Sequence, residues 1–488
     1  MRRSRFLPYS PAFSAARSPI LPPSSTPGAY RCPAPGGVRT GEGRGSSYLA
    51  TMFPDATGPK ANLLRSFYKR ARSNDVFRHG LLVLVATTLL NLGGFLFHAV
   101  VSRNLGVTTY GSLYAIISLV QLASLPAGIF TTVISKSAAE FRALKDPAHL
   151  RTLILVVSEV FGVGTLLYAA SGLVFGTAIG QFLRVPPWAV VLAGAMAGAI
   201  VLVFALRAIA QGVQDFRGFS ISLVLEAGLK ATLGGALTIA KLGLAGGLSG
   251  FAAGGVLSGA YIGWRLWAKY AKAARTELHI DGRRVFLTTI GATALTVATT
   301  ILSYGDVIVV KHFFAPHEAG IYAAASLGGK IPLLLVAFAP MVLIPKAVDS
   351  HTRGKNSMAA LGGTLLMVVA LSLVACMGFL FGANVILHLL VGEAFSEAAP
   401  ILPWYALAMS LLAITNVIAS YSIALHRFAF GAPLVFIALV EIGAIYFYHP
   451  ALHSVVNILV IGNALALAAV SIALSVQSVA LRNRLRFS

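Results

Sequence analysis

The chain has 488 residues, a formal net charge of +22 and a mean hydropathy of +0.80. Hydrophobic residues make up 57% of it and charged residues only 11%, too little polar surface to clothe a soluble domain of this length. Nucleic acid is argued against as the partner of the positive charge, because 13 of the 38 Lys and Arg fall in residues 1–80 and most others in short loops between apolar blocks, as membrane topology imposes. Cys32 and Cys376 are the two cysteines and offer neither a disulfide framework nor a metal cluster.

Residues 1–59 read as a disordered basic tail. The stretch is rich in Pro, Ser, Gly and Arg, and residues 1–50 carry one acid, Glu42, so it cannot bury a core. Its Arg-rich, acid-poor composition also suits an organelle transit peptide, and Met52 offers an alternative start. Residues 60–80 read as a basic amphipathic helix on anionic lipids. Leu63, Leu64, Phe67 and Tyr68 recur at helical spacing among Lys60, Arg65, Lys69, Arg70 and Arg72.

The apolar blocks then predict about twelve spans, near 81–101, 112–134, 152–176, 188–211, 219–240, 248–267, 286–311, 320–345, 358–382, 400–424, 432–448 and 454–480. The first six form an N-terminal lobe over 81–267. A cytoplasmic linker follows over 268–285, the last six spans form a C-terminal lobe over 286–480, and 481–488 is a basic cytoplasmic tail. The expected fold class is an all-α polytopic membrane protein of two parallel-repeat, six-helix lobes. Trp188, Trp264, Trp267 and Trp404 all stand at span ends, where amphipathic rings settle. Even-numbered loops and the C-terminal tail hold 18 Lys and Arg between Lys136 and Arg486, and odd-numbered loops hold Arg103, Arg184 and Lys241. That bias puts both termini in the cytoplasm.

Polar positions recur between the halves. Arg103 closes span 1 and Lys311 closes span 7; eleven residues on stand Tyr114 and Tyr322, preceded by Gly111 and Gly320 and followed by Ser118 and Ser326. Glu226 in span 5 and Glu441 in span 11 lie in similar tetrapeptides, Leu225 to Gly228 and Val440 to Gly443. The tyrosines are 208 residues apart and the glutamates 215, the length of one half. An even number of spans per half makes the repeats parallel, with a seam at mid-membrane where such transporters bind substrate.

Charges inside the spans need an explanation, since one at a helix centre costs roughly 2.5–3.5 kcal/mol on insertion scales. Lys330, about ten residues into span 8 and so near mid-depth, reads as a cation facing a hydrated cavity, ready for a phosphate, or as a cap on carbonyls of a neighbouring helix. Arg103 and Lys311 read as a two-sided clamp for a pyrophosphate, or as interfacial anchors that snorkel. Asp306 binds a coupling Na⁺ or proton, or pairs with Lys311. Glu441, without a partner in its own span, is either a buried protonated acid or a proton-coupling group. Glu226 and Lys230, four apart, read as a structural ion pair. No cofactor is expected beyond a coupling Na⁺ or H⁺. Gly328-Gly329-Lys330 mimics the end of a phosphate loop, but Ala324 replaces the first glycine.

Taken in order, these segments resemble a known family. Arg103-Asn104-Leu105-Gly106 through Tyr110-Gly111, Ala208 through Arg217, and Asp306 through Lys311 leading to Ala319-Gly320-Ile321-Tyr322-Ala323-Ala324 and Pro345-Lys346 resemble polysaccharide-export flippases. These belong to the multidrug/oligosaccharidyl-lipid/polysaccharide (MOP) superfamily, and the likeness covers residues 75–480. The resemblance implies a MATE-like, V-shaped, twelve-helix fold with a cavity lined by helices 1, 2, 7 and 8. It implies a lipid-linked oligosaccharide as substrate, its pyrophosphate meeting cavity cations; Arg103, Lys311 and Lys330 fall on those helices. The several-arginine helix 1 and extra helices of lipid II flippases are missing.

The function expected is therefore a flippase of the cytoplasmic membrane serving cell-surface polysaccharide synthesis, with a polymerase or glycosyltransferases as candidate partners. A drug/cation antiporter of the same fold is the alternative and needs cavity acids, which are fewer here than the cations. A membrane glycosyltransferase or ligase needs a large outer loop bearing catalytic acids or His. Glu393 and Glu397 sit in an outer loop too short for that.

Overall fold

The computed structural model describes residues 75–277, 282–352 and 357–486. The tail 1–59, most of the amphipathic stretch 60–80, and parts of the 268–285 linker and the 481–488 tail lie outside the described residues. Among the described residues every regular element is helical.

Helix α1 (Asp75–Ala123) is interrupted at Gly106, with φ 70° and ψ 172°, a backbone conformation open to glycine and almost nothing else. The chain folds back there, so that Tyr110 reaches His98 twelve residues earlier. The second pass continues into α2 (Leu125–Ala143). Four further passes complete the first half: α3 (Pro147–Leu183), α4 (Pro187–Gly212), α5 (Phe216–Ile239) and α6 (Gly243–Tyr270). The second half begins with α7 (Gly282–Phe313) and a pass split into α8 (Pro316–Gly329), α9 (Ile331–Leu335) and α10 (Ala339–Thr352). It ends with α11 (Met358–Leu390), a 3₁₀ turn at Glu393–Ala398, α12 (Leu402–Ala424), α13 (Gly431–Phe447) and α14 (Leu452–Arg486). Eight of these helical runs are long and apolar enough by themselves to cross a bilayer, the first covering both passes of α1 and α2.

The second pass of each half breaks at a proline. Pro126 follows Ser124 and Leu125, and Pro332 follows Lys330 and Ile331. A proline removes an amide donor and crowds the turn before it. In the first half the Ser124 hydroxyl donates to the Val120 carbonyl at 2.6 Å; Lys330 holds the corresponding place in the second. The unbroken span expected over 320–345 is thus replaced by three short helices, with Lys330 at the first joint.

An even number of passes puts both ends of the described chain on one side, called here the near end. One apolar core joins the halves, with Phe97, Val101, Leu113 and Ile116 meeting Ile321, Ala325, Leu402 and Met409. The near-end portion of the first half has a separate core around Leu153, Ile154, Ile209 and Ile262. The halves are therefore cemented at the far end and apart in places at the near end. Repeat-related α3 and α11 present Leu166, Leu173 and Val174, and Leu366, Val374 and Phe381, outward, the surface that hydrocarbon covers. This is a multi-pass membrane protein.

Asp215, in the turn before α5, caps that helix and ties it to the last turns of α6. Its carboxylate accepts from the Gly218 amide at 3.1 Å and from Arg265 Nε and Nη2 at 2.6 and 3.0 Å. Burial pushes this carboxyl up, but the Arg265 hydrogen bond, the Gly218 amide and the guanidinium charge outweigh it and hold it below the usual carboxylate range. A depressed acid stabilises the fold above its unfolded pKa, about 3.9, and the contribution is lost as pH falls through the folded value. Asp215→Ala should lower stability by about 1–2 kcal/mol. The gap in thermal midpoint from the parent should hold from pH 6 to 8 and close below about pH 4.

Candidate functional site

Asp306 on α7 is fully buried. Its Oδ2 accepts hydrogen bonds from the Tyr322 hydroxyl of α8 and the Tyr405 hydroxyl of α12, both at 2.7 Å. Because Tyr405 donates to Asp306, it must accept from Ser326, 2.9 Å away. Ser326 in turn accepts from Tyr114 at 3.3 Å, and Tyr114 accepts from Lys330 Nζ at 3.1 Å. The donor direction is fixed at every step. Lys330 and Asp306 form an ion pair at a distance, bridged by three hydroxyls, and Tyr114 is its only member from the first half. Lys330 Nζ also lies 4.0 Å above the Tyr304 ring, a cation–π contact that compensates burial; Gln121 Nε2 donates to the Tyr304 hydroxyl at 3.4 Å.

The expected Asp306–Lys311 pair is not formed. Residues five apart on a helix of 3.6 residues per turn point about 140° away from each other. Lys311 crosses instead to Ser112 of α1, donating at 2.9 Å. Arg103 is exposed and donates to backbone carbonyls, two of them at the end of α11. The two cations of the expected clamp, Arg103 and Lys311, and the expected cavity cation Lys330 therefore occupy three separate places, and none pairs directly with a carboxylate in the contacts above. Glu441 on α13 is buried, and neither carboxyl oxygen has a hydrogen-bond partner. It presses on α14, where a Cβ at Gly462 would overlap its Oε2. Asp306 Oδ1 and Asn463 Oδ1 are likewise buried without a donor.

In the first half Glu226 and Lys230 pair at 2.5 Å, and Glu226 also takes Arg207 at 2.6 Å. Arg207 is held by Ser222 and Ser258, and Lys230 Nζ lies 3.8 Å over the Phe251 ring. The triad carries a net charge of +1 among its three side chains. Arg207 had no assigned role in the sequence, although a cation and an acid at similar depth on consecutive spans were visible there.

Glu226 and Lys230 line a cleft of about 280 Å³ with Asn91, His98 and Gln121, closed on the other side by Leu327 and Leu334 of the second half. Sharing Asn91, Phe95 and Leu334, an apolar cleft of about 330 Å³ continues toward the near end, between Leu84, Thr88 and Leu92 of α1 and Leu335 and Phe338. A largely apolar chamber that holds a cluster of polar and charged groups thus opens onto an apolar furrow, at the boundary between the halves.

This fold is shared with solved membrane transporters. An inward-facing MATE-family multidrug resistance transporter of the MOP superfamily superposes with a TM-score of 0.69 at 14% identity, over 81% of this chain and 96% of that one. The lipid II flippase MurJ, in an inward closed conformation, gives 0.59 at 14%, over 81% and 87%. The Vibrio cholerae MATE transporter VcmN gives 0.58 at 15%, over 86% and 98%. No curated protein matches the chain significantly. The architecture is the one these solved transporters share. The model of the polysaccharide biosynthesis protein family matches residues 76–351, more than half the chain, and the chain belongs to that family.

Removing one member of a buried ion cluster strands the others. Glu226→Ala should destabilise the purified protein by about 3–5 kcal/mol, seen as a lower thermal midpoint. The triple change Arg207→Met, Glu226→Leu, Lys230→Met should recover most of that loss.

Proposed function

We propose that the protein is an alternating-access flippase. It carries a lipid-(pyro)phosphate-linked oligosaccharide across the cytoplasmic membrane for cell-surface polysaccharide synthesis and is not an enzyme. The observation that supports this reading most is the continuity of a chamber holding Glu226, Lys230 and three further polar side chains with an apolar furrow. An amphiphile can set its charged head by Lys230, which lines the chamber, with Lys330 buried behind wall residues Leu327 and Leu334, while its hydrocarbon stays in the furrow or the bilayer. Arg103 and Lys311 stand at the far end of the seam, where a phosphate leaving the chamber meets them. Glycosyltransferases supply such a substrate and a polymerase consumes it; these are the partners the reading calls for.

Asp306 and Glu441 are the coupling groups in this reading. Three carboxyl oxygens without donors, buried in one half, are places for a proton or Na⁺ to bind. The same acids support a second reading, an ion-coupled drug/cation antiporter, since a cationic substrate seeks buried carboxylates.

Proteoliposomes carrying a polyprenyl-diphosphate oligosaccharide separate the two. Protein should raise the fraction of the sugar reached by an impermeant lectin, and Lys330→Gln should cut the initial rate by at least about tenfold, the worth of one charged hydrogen bond. Uptake of a cationic dye with no movement of the lipid-linked sugar would establish the antiporter instead.

Orientation has its own check. Ser396, exposed in the 3₁₀ turn at the far end, should label as Ser396→Cys with an impermeant maleimide on intact cells. Labelling only after permeabilisation would invert the topology.

A further inference from the structure

The far end is fastened by two related sets of bonds. The last carbonyls of a helix lack intrahelical partners and carry the negative end of its dipole. At the end of α11 those carbonyls are taken by the first half. Arg103 Nη2 donates to His388 O at 2.6 Å and Leu389 O at 3.0 Å, and the buried Ser102 hydroxyl donates to Val391 O at 2.9 Å. At the end of α3 the roles of the halves are exchanged. His312 of α7 donates from Nδ1 to Phe182 O at 2.8 Å and stacks on the Phe182 ring at 3.8 Å. Arg184, just past α3, donates back to Phe314 O at 3.2 Å. In each case the end of one half's first pass caps the end of the other half's third pass.

The seam also has a point of direct backbone contact. A Cβ on Gly111 would stand 2.8 Å from Gly320 Cα and N, and one on Gly320 would overlap Val107 O. The repeat-equivalent glycines let the two backbones touch across the approximate two-fold axis. The acceptors in both sets are neutral backbone carbonyls, so parting the halves strands no buried counter-charge, and water can replace the bonds. These contacts are strong enough to hold a closed state and weak enough to release it.

We propose that Arg103, Arg184 and His312 are positioning residues of a two-part latch. It keeps the far side shut while the near-end chamber is open, and both parts release together in each cycle. The proposal rests on the alternating-access reading but not on the identity of the substrate.

The test uses Ser118→Cys, a buried hydroxyl position on the second pass of α1, in full-length protein with Cys32→Ser and Cys376→Ala. An impermeant maleimide is applied from the far side of a sealed membrane. Arg103→Ala and His312→Ala should each speed labelling roughly five- to tenfold, the effect of losing about one hydrogen bond from the closed state. Near-side labelling should not rise, and Arg103→Lys should restore the slow rate. If Arg103→Ala does not fold, Arg184→Ala, at an exposed position, carries the same test. Unchanged far-side labelling in a folded Arg103→Ala/His312→Ala protein overturns the latch, as does an equal rise from both sides. Neither result bears on the sugar-lipid assay, which decides the substrate separately.

Discussion

The structure turns on a charge separation bridged by hydroxyls. Lys330 and Asp306 sit in the second half with Tyr114, Ser326 and Tyr405 strung between them. A buried ammonium or carboxylate alone is costly in hydrocarbon; joined through oriented dipoles, each finds its complement without direct contact. Because Tyr114 comes from the other half, the compensation also ties the halves together at mid-depth. Relative motion of the halves at that depth must break the bonds of Tyr114, along with the one from Gln121 to Tyr304. Anything that neutralises Asp306 weakens the acceptor that orients the whole string, since Oδ2 then takes the two hydroxyls as a neutral oxygen.

The two halves have diverged in their use of equivalent residues. Glu226 is neutralised by two cations, while Glu441 has none of its hydrogen bonds made. Tyr114 reaches across the seam, but Tyr322 turns inward to Asp306. Arg103 caps carbonyls and Lys311 binds a serine. The first half therefore keeps a paired, net-cationic cluster beside the cleft, and the second keeps buried acid oxygens waiting for a partner. A duplicated frame can divide labour in this way because backbone packing needs only the glycines and apolar faces to persist.

Much of the frame could be read from residue order, since hydrophobic blocks of bilayer length and regularly placed cations report the solvent directly. The repeat was legible in Gly111, Tyr114, Gly320 and Tyr322, and the glycines meet at the seam. Pairing within the membrane was not. The nearness of Lys311 in sequence makes a pair one reading of Asp306 beside ion coupling, but its partner Tyr405 is 99 residues away, and no periodicity encodes such a contact. Arg103 and Lys311 are legible as repeat-equivalent cations, yet the targets they reach across the seam are carbonyls of α11 and a hydroxyl of α1. The broken eighth pass was written in Ile331-Pro332 but masked by the uniform hydropathy around it.

The paired proline joints bear on how such a molecule moves. A helix with a missing backbone bond bends at that depth more readily than elsewhere, and Pro126 and Pro332 stand at matching levels in the two halves. Each second pass is thus a jointed lever. Its upper arm belongs to the cemented end, and its lower arm is α2 in one half and α9 with α10 in the other. Widening or narrowing of the chamber mouth can then proceed by elbow flexion while the upper arms stay clasped.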